Sequence, residues 1–220
     1  MLITANGIQI NYQVKGQGSP MILVHGNGEH GGIFKELTEK LSKHFTVYTP
    51  DSRCHGKSQM TDDISYDLMA EDTAAFIKEL GLKKPILYGF SDGGIIGLLI
   101  ATRYPDLLSE LIVSGANLFP KGIKWYSLLA WKIRYLFNRK KSIRMMLVEP
   151  DIKTRELQKI KIPVHVVAGE RDIVSEKHTK LIAQNIPGAT LDILPGENHG
   201  SYVVHSDKMY DLLKKYIQMQ

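Results

Sequence analysis

The chain has 220 residues, with 28 Lys and Arg against 23 Asp and Glu, a formal charge of +5 and 43% apolar residues. That length suits one domain, 1–220, with a sizeable shared core, and the composition excludes disordered and fibrous classes. A single cysteine, Cys54, excludes an intramolecular disulfide and fits a reducing compartment. The N-terminal stretch lacks the basic start, apolar core and small-residue cleavage site of a signal peptide. No apolar run is long enough to span a bilayer. Cytoplasmic residence without stable membrane insertion is the expectation.

In chain order, Leu2 to Ile3 and Ile8 to Val14 flank Asn6-Gly7, a hairpin turn signal. Met21 to Val24 is an apolar strand ending in His25-Gly26-Asn27-Gly28, and a helical pattern follows from about Ile33 to Leu41. Phe45 to Tyr48 reads as the next strand. Ser65 can cap a helix that Gly81 closes, with Asp67 adding charge to its first turn. Pro85 to Tyr88 is a strand, followed by Gly89-Phe90-Ser91-Asp92-Gly93-Gly94 and a helix that stops before Pro105. Strands are predicted over Leu111 to Val113, Val164 to Ala168 and Thr190 to Leu194. Ser175 caps a helix running to about Ile186, and a last helix covers about Asp207 to Ile217. Strands alternating with helices predict an α/β fold: a mostly parallel central sheet with helices on both faces and an antiparallel N-terminal hairpin.

The stretch from about Leu118 to Ile160 breaks that rhythm. It holds no convincing strand and is too long for a simple connection, so a small helical cap insertion over the sheet is expected. Lys121, Lys124, Lys132, Arg134, Arg139, Lys140, Lys141 and Arg144 crowd it. A solvated helix face explains them most simply. The sharper alternatives are attraction of an acidic substrate or an anionic surface. No zinc-finger spacing or RNA-binding run accompanies the cluster, so no nucleic-acid partner is expected. The aromatics Phe119, Trp125, Tyr126, Trp131 and Phe137 either line an acyl pocket or pack the insertion; Phe119, Trp125 and Trp131 are the substrate-contact candidates.

Gly89 to Gly93 matches Gly-x-Ser-x-Gly. The pattern makes a tight strand-to-helix turn that lifts the serine hydroxyl above the sheet. Short patterns recur by chance, but here a strand runs in and an apolar helix runs out, which is the context the pattern needs. A serine hydroxyl needs a base, and the base needs an orienting acid. His199 follows the last strand and Asp172 follows the strand before it, so both fall on the same sheet rim as Ser91. Asp192 and Glu170 are weaker alternatives for the acid, and His205 for the base. The oxyanion donors are expected to be the N–H groups of Asp92 and Asn27, with Gly28 as fallback. His25 and His55 read as structural and Cys54 as a small packed residue.

With these residues the chain resembles the α/β-hydrolase fold superfamily over nearly its whole length. The resemblance rests on His25 to Gly28, Asp51 to Ser58, Gly89 to Gly93, Gly169 to Asp172, and Asn198-His199-Gly200. Cys54 stands where the family usually has glycine, and the insertion is shorter than in many relatives, implying a more open site. The resemblance implies a serine hydrolase acting on a small-molecule ester, without metal or organic cofactor, as monomer or homodimer. Thioester, lactone, amide and carbon–carbon bonds, and perhydrolysis, stay open, as does a non-catalytic binding protein on the same fold. Ser91-Asp92-Gly93-Gly94 is similar to the elbow of hydrolases related to valacyclovir hydrolase, which implies amino-acid esters as a further substrate class, with Asp92 facing the amine.

Overall fold

The computed structural model describes residues 1–217. Strands β1 (Leu2–Ala5) and β2 (Ile8–Lys15) pair antiparallel. Asn6 and Gly7 between them both take positive φ, 48° and 75°, matching the twist of the flanking strands. β3 (Ser19–Val24), β4 (Phe45–Pro50), β5 (Ile86–Phe90), β6 (Glu110–Ser114), β7 (Val164–Arg171) and β8 (Thr190–Asn198) complete an eight-stranded sheet in the order β1-β2-β4-β3-β5-β6-β7-β8. β2 meets β4 antiparallel, and every pairing from β4 onward is parallel.

Side chains alternate between two cores, one on each face, as a period of two requires. Ile22, Val24 and Leu87 join α2 (Tyr66–Glu79), α3 (Asp92–Arg103) and α7 (Glu176–Gln184) on one face. Met21, Leu23 and Tyr88 join α1 (Lys35–Leu41) and α8 (Met209–Tyr216) on the other. Both faces are covered, so the strands read as near-continuous apolar runs. Between β6 and β7 lie a short 3-10 turn, Pro120–Gly122, and three helices: α4 (Trp125–Asn138), α5 (Lys141–Val148) and α6 (Thr154–Leu157). Among the described residues no helix is long and apolar enough to cross a membrane.

Several element bounds differ from expectation by a few residues. The pattern expected from Ile33 starts as a 3-10 turn over Gly31–Phe34 before α1. β8 runs on to Asn198 through Pro195 and Gly196, because a register shift between Gly169 and Arg171 absorbs the irregularity. The last helix, expected from about Asp207, begins at Met209. Ser65 caps α2 as expected, its side chain accepting from the Leu68 N–H at 3.1 Å.

Two buried histidines brace the loops around the sheet rim. His25 Nε2 accepts from the Ser52 N–H at 2.9 Å, and its Nδ1 faces the Gly26 carbonyl at 2.8 Å. His178 Nε2 accepts from the Leu118 N–H at 2.9 Å. Burial lowers the pKa of each to about 4 from 6.5. The unfolded chain therefore binds more protons than the folded one between pH 6.5 and 4, and stability falls as pH drops through that window. The loss is about 3 kcal/mol for His25 and smaller for the less deeply buried His178, where solvent screens the effect. Urea midpoints measured from pH 7 downward should fall steeply, and less steeply in His178→Gln; a midpoint unchanged down to pH 4.5 contradicts this.

Candidate active site

β5 delivers Ser91 into a turn that most residues avoid. Its backbone sits at φ 53°, ψ −112°, a strained conformation that persists only where the surroundings enforce it. The two flanking glycines make the turn possible. A Cβ at Gly89 would lie 2.2 Å from the Gly93 carbonyl oxygen, and one at Gly93 would lie 2.0 Å from the Val24 carbonyl oxygen. α3 then starts directly at Asp92, aiming its N-terminal end at the serine.

His199 follows β8 and Asp172 follows β7. His199 Nε2 lies 3.1 Å from Ser91 Oγ. His199 Nδ1 lies 2.7 Å from Asp172 Oδ1, which also accepts from the Val174 N–H at 2.9 Å. Asp172 is buried, and its Oδ2 has no protein partner among the described residues. The alternative acids are engaged elsewhere: Asp192 accepts from the Tyr216 hydroxyl and Glu170 from the Gly196 N–H. His205 lies 3.7 Å from Glu36, away from the serine.

Loop His25 to Gly28 passes beside the serine, where a Cβ on Gly26 would sit 3.1 Å from Ser91 Cβ. Among the described residues the backbone N–H groups of Asn27 and Asp92 donate to no protein acceptor. His25 ties this loop to Ser52, while Asp51 Oδ1 accepts from the Gly31 N–H and its Oδ2 from Asn11 and the Lys57 N–H. Burial would raise the Asp51 pKa, but those three donors hold it below the usual carboxylate value. Cys54, in the same segment, has φ 60°, which explains why glycine suits that position in the resemblance.

A cleft of about 370 Å³ opens over Ser91 and His199, walled by Asn27, Glu29, Trp131 and Met146, with Arg134 and Lys140 among its lining residues. A narrow recess of about 10 Å³ continues from it between Tyr66, Asp92 and Asn117. Asp92 accepts two bonds there: Oδ1 from the Tyr66 hydroxyl at 2.7 Å and Oδ2 from Asn27 Nδ2 at 3.0 Å. Burial raises the Asp92 pKa against the pull of those two bonds, and burial together with Asp92 pushes the Tyr66 phenol well above its usual value. The Asn117 Nδ2 group is buried in the recess wall without a partner among the described residues. Glu29 has its pKa raised by burial, opposed by the Gly26 N–H that it accepts at 3.0 Å. Among the described residues no three His, Cys, Asp or Glu side chains group at metal-ligand spacing.

The structure brings Ser91, Asp172, His199, Asn27, Asp92 and Trp131 together and leaves two candidates outside. Phe119 is turned edge-on to the His178 ring, at 4.6 Å between centroids, and packs against the core instead of the cleft. Trp125 stands on the solvent side of α4, 74% exposed. Both are corrections, and both arise because composition does not say which way a side chain points. Glu29, Asn117, Tyr66 and Gly115 were missed. Gly115 follows β6 at φ +63°, where a Cβ would come within 2.9 Å of His199 Cε1 and 3.3 Å of Asp172 Oδ2. A glycine directly after a buried strand was the available signal.

Comparison with known proteins agrees with this fold. The sequence profile described as alpha/beta hydrolase fold matches residues 19–144. The chain is 28% identical over 251 aligned positions to serine hydrolase BPHL of Homo sapiens, covering 98% of this chain and 85% of that protein. It is 32% identical to a pimeloyl-[acyl-carrier protein] methyl ester esterase of Aliivibrio fischeri, over 48% of this chain and 40% of that one. The structure superposes on the esterase EaEST of Exiguobacterium antarcticum with TM-score 0.87 at 21% identity, covering 99% of each chain. The chain therefore belongs to the α/β-hydrolase fold family, and hydrolysis is the chemistry that this membership supports.

Proposed function

We propose that the protein is a serine hydrolase cleaving small or medium carboxylic esters through an acyl-enzyme. The observation that carries this reading is the unbroken line of contacts from Ser91 Oγ through the His199 ring to Asp172, at 3.1 and 2.7 Å. Ser91 Oγ attacks the ester carbonyl as His199 Nε2 takes its proton. Asp172 holds Nδ1–H and stabilises the imidazolium. The N–H groups of Asn27 and Asp92 receive the oxyanion. His199 passes the proton to the leaving alcohol, then takes one from water, which attacks the acyl-enzyme and releases the acid. Neither metal nor cofactor enters these steps.

Arg134 and Lys140 at the cleft favour esters with negative charge remote from the scissile bond. A second reading, amino-acid esters, rests on the Asp92 carboxylate in the wall of the recess behind Ser91. A panel of p-nitrophenyl esters varied in chain length and charge tests both. Wild type should turn over short neutral esters, and Ser91→Ala should run at background. No ester turnover by the native protein, with a carbon–carbon substrate cleaved instead, would overturn the ester assignment.

A further inference from the structure

The longest helix between β6 and β7 carries more than half of the exposed large apolar side chains among the described residues. Of eleven exposed large apolar side chains among the described residues, six lie on α4: Trp125, Tyr126, Leu129, Ile133, Leu136 and Phe137. Their spacing places all of them within an arc of about 120° around the helix. Phe137 is 86% exposed, and α4 contributes no fully buried side chain. Trp131 and Arg134 occupy the other side and line the cleft. The helix thus presents one side to the cleft and leaves an unpartnered apolar stripe facing outward.

Charge says what covers that stripe. From residue 111 to residue 148 there is no Asp or Glu, while eight Lys and Arg fall between Lys121 and Arg144. The whole chain carries only +5, so the remainder is net negative and the positive charge is concentrated here. Among the described residues only Lys141 of these eight pairs with a carboxylate, that of exposed Asp62. Lys132 and Arg139 border one edge of the stripe. A second copy of this chain docked through the same face would set cation against cation. A zwitterionic or anionic lipid surface accepts the aromatic stripe at headgroup depth, and anionic lipid also attracts the flanking cations.

We infer that α4 is an interfacial helix that seats the protein reversibly on anionic lipid, its Trp125–Phe137 stripe in the headgroup region. This inference is independent of which ester is cleaved. The geometry is that of a helix lying in the interface, not crossing it.

Co-sedimentation of the full chain with vesicles of phosphatidylcholine, alone or with phosphatidylglycerol added, tests it. Binding to the anionic vesicles should exceed binding to the neutral ones by about tenfold and weaken as salt is raised. A Leu136→Ser/Phe137→Ser double variant should lose about tenfold or more of that binding while keeping wild-type turnover of a water-soluble ester and its circular dichroism. Trp125 reports directly: in Trp131→Phe, the one remaining tryptophan should shift its emission to the blue on binding. Absence of binding to anionic vesicles overturns the inference, as does binding that the double variant leaves intact. A dimer in sedimentation velocity that the double variant abolishes also overturns it, because a second copy then covers the stripe.

Discussion

Asp172→Asn should lower kcat by about 10⁴-fold, and His199→Ala by at least as much, with both variants folded. Asp172 Oδ1 accepts from two N–H donors, those of Val174 and His199. An asparagine keeps the shape but offers one acceptor oxygen and an NH₂ group. Fixed by the Val174 N–H, that oxygen still accepts from the ring, but the side chain is now neutral and no longer stabilises the imidazolium that forms when His199 takes the Ser91 proton. The loss should appear in kcat rather than KM, because no substrate contact is removed. Steady-state kinetics on a chromogenic ester measure it. Retention of more than a tenth of wild-type kcat by the asparagine variant would contradict the role given to Asp172.

Asp72→Ala should destabilise the fold by about 3–5 kcal/mol. Arg53 and Asp72 form a buried bidentate pair, with Arg53 Nη2 to Asp72 Oδ1 at 2.6 Å, and Asn6 Nδ2 adds a third donor at 2.8 Å. The pair by itself is weak evidence of net stability, since both charges lose hydration. Removing one partner is different, because the guanidinium stays buried with only the Asp63 carbonyl at 3.2 Å to receive it. That loss is a large fraction of the stability of an ordinary domain. It also reaches the site: Arg53 lies in the segment whose Ser52 N–H holds His25 and whose Asp51 holds Gly31. Urea unfolding at pH 7 measures the loss, and a change below 1 kcal/mol contradicts it.

The sheet and the Ser91, Asp172 and His199 cluster were legible because local patterns determine them. A strand with period-two burial, a turn that admits only glycine at two positions, and acid and histidine just past later strands all follow from short windows of sequence. The aromatic residues of the insertion were not legible in the same way. Trp125 and Trp131 lie six positions apart on one helix, yet one faces solvent and the other the cleft, and only the packing of α4 against α5 decides which. Asp92 shows the same limit. Its place at the helix start was readable, but its bonds to Tyr66 and Asn27 join residues far apart in the chain. Glu29 and Gly115 matter through contacts across the rim, which no local pattern records.

The central claim is that Ser91 is a nucleophile activated by His199. Labelling with a fluorophosphonate, followed by mass spectrometry of the peptides, tests it most directly. The native protein should carry the phosphonyl adduct on Ser91, with labelling abolished in Ser91→Ala and slowed strongly in His199→Ala. A folded native protein that stays unlabelled at Ser91, or is labelled equally fast without His199, would contradict the account.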